Sequence, residues 1–296
     1  MREAVLLKDH SNFKIGGPAD YFFEVRSVAE LVKTVCLARQ CSVPYYVIGA
    51  GCNLLFDDEG FRGLIIKNCC QGLKRLAGKD EIEILSGTPL PEVVSFCLEE
   101  RLAGFEFLAG IPGTVGGAVF SNAGAFGEAV GDFLREALLL DEKGEEIKVN
   151  REHFAFNYRH SFLKQKHQLL LKAFFKLREG EKEEIKGKME MNLERRRRNH
   201  PPPNTAYAGS YFKNPVLPSG EKVAAAYLLE RVEARGLKRG GAAVYPYHSN
   251  FIINQGNASS RDVLGLAGEL KKRVKQKYGL ELKEEVMFLP ANSSMP

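Results

Sequence analysis

Residues 110–125 decide the fold, and they read Gly-Ile-Pro-Gly-Thr-Val-Gly-Gly-Ala-Val-Phe-Ser-Asn-Ala-Gly-Ala. A packed core alone would not favour so many small residues, because glycine loses much conformational entropy on folding. A backbone that approaches a flat or charged ligand closely does explain them. We therefore expect this segment to contact a bound ligand.

A second loop of small residues, Gly49-Ala50-Gly51-Cys52-Asn53, follows the apolar stretch 45–48, which is typical of a buried strand. Glycine allows a phosphate to approach the main-chain amides closely, and Asn53 adds a side-chain donor. By itself such a loop is explained equally well as a tight turn. Together, the two loops predict a site for the diphosphate of one dinucleotide and hence a soluble, cofactor-dependent enzyme.

Two common phosphate-binding motifs are excluded. Leu54 and Leu55 stand where the third glycine of the Rossmann fingerprint would lie. The chain contains no GxxxxGK[ST] sequence, which disfavours a nucleoside triphosphatase. The dinucleotide site therefore belongs to another fold.

Length and charge limit the remaining classes. A chain of 296 residues predicts two or three domains. Its net charge of +5 suits an anionic small molecule and is too weak for a nucleic-acid partner. The six cysteines form no CxxC motif, so we expect free thiols and no metal site. We expect no membrane span or signal peptide, and a cytoplasmic location.

The first third of the chain alternates strand and helix patterns, as in an α/β unit. We predict strands at 21–25, 45–48 and 63–67. Between the first two, Ser27 and Glu30 have the spacing of a capping box at the start of a helix.

The middle third is richer in strands. We predict strands at 82–84, 137–140, 147–149 and 169–177, the second and third forming a hairpin. A helix is predicted at 90–102, ended by Gly104. A polar helix at 180–198, which we expect to cross between domains, ends before three consecutive prolines.

The last third is predicted to hold two helices and a strand. The helices are expected at 221–234 and at 262–278, the second capped by Ser259 or Ser260 and ended by Gly279. The strand is expected at 284–289.

Six motifs, taken in their order along the chain, resemble the UDP-N-acetylenolpyruvoylglucosamine reductase (MurB) family from about residue 10 to residue 289. They are Gly16-Gly17-Pro18-Ala19, residues 48–55, residues 110–118, Asn157-Tyr158-Arg159-His160-Ser161-Phe162, residues 208–215 and residues 248–254. The short distance between Phe162 and the strand at 169 resembles the shorter subtype, which lacks an extra substrate-capping loop.

The resemblance implies an α+β fold. It implies an FAD-binding fold of the vanillyl-alcohol-oxidase type in two subdomains, followed by a smaller α+β substrate-binding domain. We expect the first subdomain at residues 1–70 with 284–296, the second at 71–180, and the substrate-binding domain at 181–283.

The resemblance also implies an activity in peptidoglycan precursor synthesis. NADPH would reduce non-covalently bound FAD, and the reduced flavin would convert UDP-N-acetylglucosamine enolpyruvate to UDP-N-acetylmuramate. The partner is thus a UDP-sugar, and we expect a monomer. The alternative is another FAD-dependent oxidoreductase of the same superfold with a different substrate.

Three catalytic residues follow from the resemblance. Arg159 would hold the substrate carboxylate, since a guanidinium pairs with a carboxylate through two hydrogen bonds. Ser210 would donate the proton, and Glu285 would stabilise or protonate the enol-like intermediate. Glu281 and Glu284 are rivals for the role of Glu285.

Further contacts are expected from the same resemblance. Lys213 and Asn214 are predicted to bind substrate. The run Arg195–Arg198 is either a solvated helix end or carries one arginine that reaches the UDP diphosphate. The residues predicted to contact FAD are Gly49, Ala50, Gly51, Cys52, Asn53, Leu54, Gly110, Pro112, Gly113, Thr114, Gly116, Gly117, Ala118, Asn122 and Gly124.

Two positions depart from the family pattern. Cys52 stands where serine is usual, so the diphosphate site should depend more on main-chain amides. Tyr245-Pro246-Tyr247 precedes His248 in place of the usual residues.

Overall fold

The computed structural model describes residues 1–78, 80–217 and 220–293, and all statements of structure refer to these. Its strands are β1 (Arg2–Leu6), β2 (Pro18–Val25), β3 (Tyr45–Ile48), β4 (Leu54–Phe56), β5 (Phe61–Asn68), β6 (Leu73–Arg75), β7 (Glu81–Leu85), β8 (Leu102–Ala103), β9 (Gly124–Ala125), β10 (Glu128–Ala129), β11 (Leu134–Leu140), β12 (Glu146–Asn150), β13 (Leu169–Lys176), β14 (Arg178–Glu179), β15 (Ala206–Tyr207), β16 (Lys238–Arg239), β17 (Ala242–Val244), β18 (Ile252–Asn254) and β19 (Met287–Leu289).

The α-helices and the 3-10 turns connect these strands. The helices are α1 (Val28–Gln40), α2 (Leu90–Glu99), α3 (Val115–Ser121), α4 (Val130–Phe133), α5 (Lys182–Asn199), α6 (Ala225–Arg231) and α7 (Ser260–Tyr278). Short 3-10 turns lie at Leu7–His10, Glu106–Leu108, Arg151–Phe154 and Phe162–Lys164.

The first sheet has the strand order β1-β2-β5-β3, in which β5 runs parallel to both β2 and β3. Helix α1 packs on it through the buried Leu31, Val35 and Ala38, whose spacings of four and three place them on one helical face. Ser27 caps the helix by accepting from the Glu30 N–H. The Glu30 carboxylate accepts from the Arg26 N–H, so the predicted capping box is only half formed.

The second sheet, β12-β11-β13-β7-β6, is antiparallel throughout. It includes the predicted hairpin, which the pairing of β11 with β12 confirms. The apolar face packs against α2 and α3, and four phenylalanine rings meet in this core. The polar helix α5 adds the buried Ile185 and half-buried Met189 and Leu193 to the surface of this unit.

The third sheet, β15-β18-β17-β16, packs with α6 and α7. Helix α7 matches its prediction closely: Ser259 caps it, and Gly279 ends it with a left-handed φ of 67°. Phe13 and Leu55 belong to the same buried cluster, so segments next to the first glycine loop contact this part of the molecule.

The chain ends by returning to the first glycine loop. Strand β19 pairs in parallel with β4, which directly follows that loop, and Met287 lies opposite Leu54. This pairing brings the carboxyl-terminal segment beside residues 49–53.

Three predicted elements are shorter than expected. The helix predicted at 90–102 ends at Glu99, because Leu102 and Ala103 pair with β14 after a left-handed Arg101. The helix predicted at 221–234 covers only Ala225–Arg231, since Lys222 forms a bridge with Val216. The strand predicted at 284–289 begins at Met287.

No helix in the described ranges is both long and apolar enough to span a membrane. The three-domain division stays a prediction, and residues 294–296 of its last segment lie outside the described residues.

The loop before β5 is tied to α7 by one carboxylate, which generates a stability prediction. Asp58 accepts hydrogen bonds from the Ser260 N–H at 2.8 Å and from the Ser260 hydroxyl at 2.8 Å. Because hydrogen bonds to a charged group are the stronger kind, Asp58→Ala should lower the free energy of unfolding by about 2 kcal/mol. Urea denaturation measures this.

The matched control is the neighbouring Glu59→Ala. Glu59 pairs with Arg261 at the exposed surface, where ion pairs contribute little. Equal destabilisation by the two variants would contradict the assigned role of Asp58.

Candidate active site

A cavity of about 1330 Å³ lies where the two glycine loops meet the carboxyl-terminal part of the chain. It exceeds the range of about 300–1,000 Å³ that is usual for small-molecule sites, so it can hold more than one ligand. Arg159, Ser210 and Glu285 all line it. The structure thus brings the three predicted catalytic residues into the same cavity as the glycine loops.

Most of the predicted cofactor contacts also line this cavity. They are Gly49, Ala50, Gly51, Cys52, Asn53, Leu54, Gly110, Pro112, Gly113, Thr114, Gly116, Gly117, Ala118 and Gly124. Asn122 is the exception. Its side chain accepts from the Gly131 N–H and donates to the Asn157 carbonyl, so it holds the end of α3 instead.

Several glycines are required because the loops pack closely on the protein. A Cβ atom on Gly49 would overlap the Thr114 hydroxyl of the other loop. Gly51 has a left-handed φ of 68°, and a Cβ there would overlap the His10 carbonyl. Part of the density of small residues therefore serves loop-to-loop packing, and only part serves contact with a ligand.

The first loop lines the cavity and has backbone N–H groups that donate to none of the described residues. Within the described residues, the N–H groups of Ala50, Gly51, Cys52 and Asn53 donate to no protein acceptor, although Gly51 is buried. Buried N–H groups require partners, and consecutive free ones suit anionic oxygens. This arrangement fits the diphosphate of a dinucleotide such as FAD.

The second loop contributes fewer donors. The N–H groups of Val115 and Gly116 donate to the Thr88 and Ser86 carbonyls. Among the described residues, those of Gly113 and Thr114 have no protein acceptor. Among the described residues, the first loop therefore has more backbone N–H groups without a protein acceptor than the second.

Asn53 and Cys52 line the cavity, and each side chain also contacts a backbone carbonyl. The Asn53 side-chain amide donates to the Glu285 carbonyl at 3.0 Å, and this donor was predicted to face the cofactor. The Cys52 thiol lies 3.7 Å from the Ala50 carbonyl, and burial raises its pKa to about 11. Cys52 is therefore a neutral thiol at physiological pH.

Glu285 is fixed by its backbone and paired through its carboxylate. Its N–H donates to the Tyr211 carbonyl at 2.8 Å. Its carboxylate forms an ion pair with Arg159, with 2.5 Å between Oε1 and Nε. Burial raises the pKa of Glu285 above its usual range, although Arg159 opposes this shift.

The rival glutamates lie elsewhere. Glu284 pairs with Lys271 at the surface, at 2.9 Å, and Glu281 is exposed. Of the three candidates, Glu285 is the one that lines the cavity.

Arg159 lies in a two-residue turn. The backbone groups of Asn157 and His160 bond to each other in both directions, at 3.0 and 3.1 Å. Arg159 adopts a left-handed φ of 52°, which is uncommon for a residue with a side chain. Such strained positions are concentrated at functional sites, and here the turn places the guanidinium beside Glu285.

Ser210 is positioned by Asn250 of the motif at 248–254. The Asn250 side chain accepts from the Phe212 N–H and donates to the Phe212 carbonyl, at 3.0 and 2.9 Å. The Asn250 carbonyl also accepts from the Tyr211 N–H. The motif thus fixes the backbone directly after Ser210.

The two predicted substrate contacts lie outside the residues that line the cavity. Asn214 uses its side-chain oxygen to accept from the Ala225 N–H at the start of α6. Lys213 lies with its Nζ 3.5 Å from the Arg159 carbonyl.

Sequence reasoning missed Lys164, whose Nζ donates to the same Arg159 carbonyl at 2.9 Å. Its only signal was its position two residues after the Asn157–Phe162 motif.

The run Arg195–Arg198 contains arginines of both predicted kinds, some at the cavity and some at a solvated helix end. Arg196 lines the cavity and donates to the Ala109 and Phe107 carbonyls before the second glycine loop. Arg198 lies at the exposed surface and pairs with Glu194. Arg196 is thus directed inward, Arg197 also lines the cavity while pairing with Glu194, and Arg198 belongs to a solvated helix end.

Comparison with known proteins agrees with this geometry. Residues 201–289 match the model of the UDP-N-acetylenolpyruvoylglucosamine reductase C-terminal domain, and residues 19–150 match that of an FAD-binding domain. The UDP-N-acetylenolpyruvoylglucosamine reductase of Caldanaerobacter subterraneus subsp. tengcongensis is 38% identical over 284 residues, covering 96% of this chain and 91% of that protein. The chain belongs to the UDP-N-acetylenolpyruvoylglucosamine reductase family.

Further relatives support the assignment. The reductase of Clostridium botulinum is 38% identical, covering 96% of this chain and 90% of its own length. The crystal structure of the Thermus caldophilus reductase is 33% identical, with a TM-score of 0.81, and covers 97% of this chain and 98% of that one. The predicted family and the α+β flavin-binding fold are confirmed, and this reductase is an FAD-dependent oxidoreductase.

The contact between the loops generates a prediction for Gly49→Ala. The added methyl group would overlap Thr114, and overpacking costs about 1–3 kcal/mol. We expect FAD affinity to fall by about tenfold or more, measured by fluorescence titration of the apoprotein.

Gly187→Ala in α5 is the control, because a Cβ there meets no atom within 4 Å. It should leave FAD affinity unchanged. Wild-type FAD affinity in Gly49→Ala would show that the two loops do not depend on this close contact.

Proposed function

We propose that this reductase uses NADPH to reduce UDP-N-acetylglucosamine enolpyruvate to UDP-N-acetylmuramate, a step of peptidoglycan precursor synthesis. One observation carries the proposal. Arg159, Ser210 and Glu285 come from three separate segments and line the cavity that also holds the free amides of the first glycine loop. The names of the curated relatives support the same substrate.

The reaction needs a hydride, a site for negative charge and a proton. FAD, when bound, supplies hydride from its N5 atom for the terminal vinyl carbon. Negative charge then develops toward the substrate carboxylate. The Arg159 guanidinium is permanently charged and can hold that carboxylate through two hydrogen bonds. The ammonium groups of Lys164 and Lys213 lie near the backbone carbonyl of Arg159 and add to the positive potential there.

The proton would come from Ser210 to the carbon next to the vinyl terminus. A serine hydroxyl is a weak acid, so nearby positive charge is needed to stabilise the alkoxide that develops. Lys213 is three residues further along the chain, and its ammonium group would supply such a charge. Because burial raises the pKa of Glu285, its carboxyl group is suited to stabilise or protonate the enol-like intermediate.

The alternative is an FAD-dependent oxidoreductase of the same superfold that acts on another substrate. The presence of Arg159, Ser210 and Glu285 in one cavity favours the first proposal. The experiment that separates the two is anaerobic reduction of the wild-type flavin by NADPH or NADH, followed by addition of the enolpyruvyl sugar nucleotide. The proposal expects rapid reoxidation. A flavin that bleaches but is not reoxidised would support the alternative.

We also propose that the enzyme works as a monomer in the cytoplasm. The six free thiols suit a reducing compartment. Light scattering should give the mass of one chain at working concentration, whereas a stable dimer would contradict the proposed state.

The role of Ser210 predicts a separation of the two half-reactions. In Ser210→Ala, NADPH should still bleach the flavin at the wild-type rate. Reoxidation by the substrate should slow by about 10²–10⁴-fold, the usual contribution of a general acid. Stopped-flow absorbance measures both steps.

Ser293→Ala, at a half-buried position that does not line the cavity, serves as the control. If Ser210→Ala abolishes bleaching as well, the residue does not act only as the proton donor.

A further inference from the structure

We propose that Lys164 is a positioning residue: its hydrogen bond to the Arg159 carbonyl holds the left-handed turn that aims the Arg159 guanidinium at the substrate. This inference rests on the proposed function, because it assigns a determinant of the same site.

The geometry carries the inference. Lys164 is the last residue of the 3-10 turn Phe162–Lys164, and its side chain is half-buried. Its Nζ lies 2.9 Å from the Arg159 carbonyl oxygen. Lys213, from a distant part of the chain, places its Nζ 3.5 Å from the same oxygen. One backbone carbonyl thus lies between two ammonium groups.

Arg159 needs such support because its backbone conformation is one that residues with a side chain rarely adopt. The backbone bonds between Asn157 and His160 close the turn around it, and they leave the Arg159 carbonyl itself free. A charged donor on that carbonyl fixes the orientation of the peptide unit that follows Arg159. The direction of the guanidinium depends on the same backbone angles.

The charges around Lys164 explain when this support is lost. Lys164 faces Lys213, Arg159 and Glu285, and its Nζ lies 5.6 Å from the centre of the Phe120 ring in α3. Burial and the charge of Lys213 lower its pKa to about 8. The ammonium form is therefore present below this pH and is lost as the pH rises through it, which weakens the bond to the carbonyl.

The test compares Lys164→Met, Lys164→Arg and the control Lys166→Met, all as FAD-loaded enzyme. Lys166 lies two residues away, where its Nζ makes a long ion pair with Glu142 at 3.8 Å and lies 5.6 Å from the centre of the Phe162 ring. For each protein, stopped-flow absorbance gives two rates: that of bleaching by NADPH and that of reoxidation by the enolpyruvyl sugar nucleotide. Both are measured from pH 6 to pH 10, a range on the order of two units either side of the Lys164 pKa.

We expect Lys164→Met to slow reoxidation by about 10–100-fold at neutral pH, as misplaced reacting groups do, without slowing bleaching. Wild-type reoxidation should decline as the pH rises through about 8, and this decline should be absent in Lys164→Met. Lys164→Arg should restore the neutral rate and keep it at high pH, because a guanidinium is not deprotonated. Lys166→Met should behave as wild type.

Two results would overturn the inference. One is wild-type reoxidation in Lys164→Met with its alkaline decline intact. The other is slowing of both half-reactions by the same factor. If Lys164→Met does not fold, an unaltered alkaline decline in Lys164→Arg overturns it equally. Failure of the proposed function is distinguishable, because the wild-type flavin would then not be reoxidised by this substrate at any pH.

Discussion

Glu285 is the residue on which the arrangement of the site depends. Its N–H donates to the Tyr211 carbonyl, its own carbonyl accepts from the Asn53 side chain, and its carboxylate pairs with Arg159. Tyr211 follows Ser210, Asn53 ends the first glycine loop, and Arg159 occupies the strained turn. The cofactor loop and the reacting side chains are therefore held to one another by a single half-buried residue.

Contacts between segments that are distant in sequence place Glu285 in this position. Strand β19 adds to β4 directly after the glycine loop, and Asn250 fixes the backbone beyond Ser210. Residues 50–53 then line the same cavity as the Arg159–Glu285 pair. The proposed binding of a dinucleotide and the proposed recognition of an anionic substrate would thus both depend on one set of backbone contacts.

The sequence predicted those features that depend on local patterns. Helix α7 was predicted well because its apolar spacing, Ser259 cap and terminal Gly279 are all local. The predicted end of α2 at residue 102 was wrong, because a helical pattern does not reveal that Leu102 pairs with Glu179. The asparagines show the same limit at the site. Asn53, Asn122 and Asn214 stay predicted ligand contacts, and their bonds to backbone groups were not foreseen, because which backbone groups need a partner depends on the tertiary fold.

A double-mutant cycle tests most directly whether the paired Arg159 and Glu285 act as one unit at the substrate. The quantity to measure is the rate of substrate-dependent flavin reoxidation in Arg159→Met, Glu285→Gln and the double variant. Residues that act as a unit give non-additive losses, so the double variant should be slowed far less than the product of the two single effects. A loss equal to that product would show that the two residues act independently and would contradict the account.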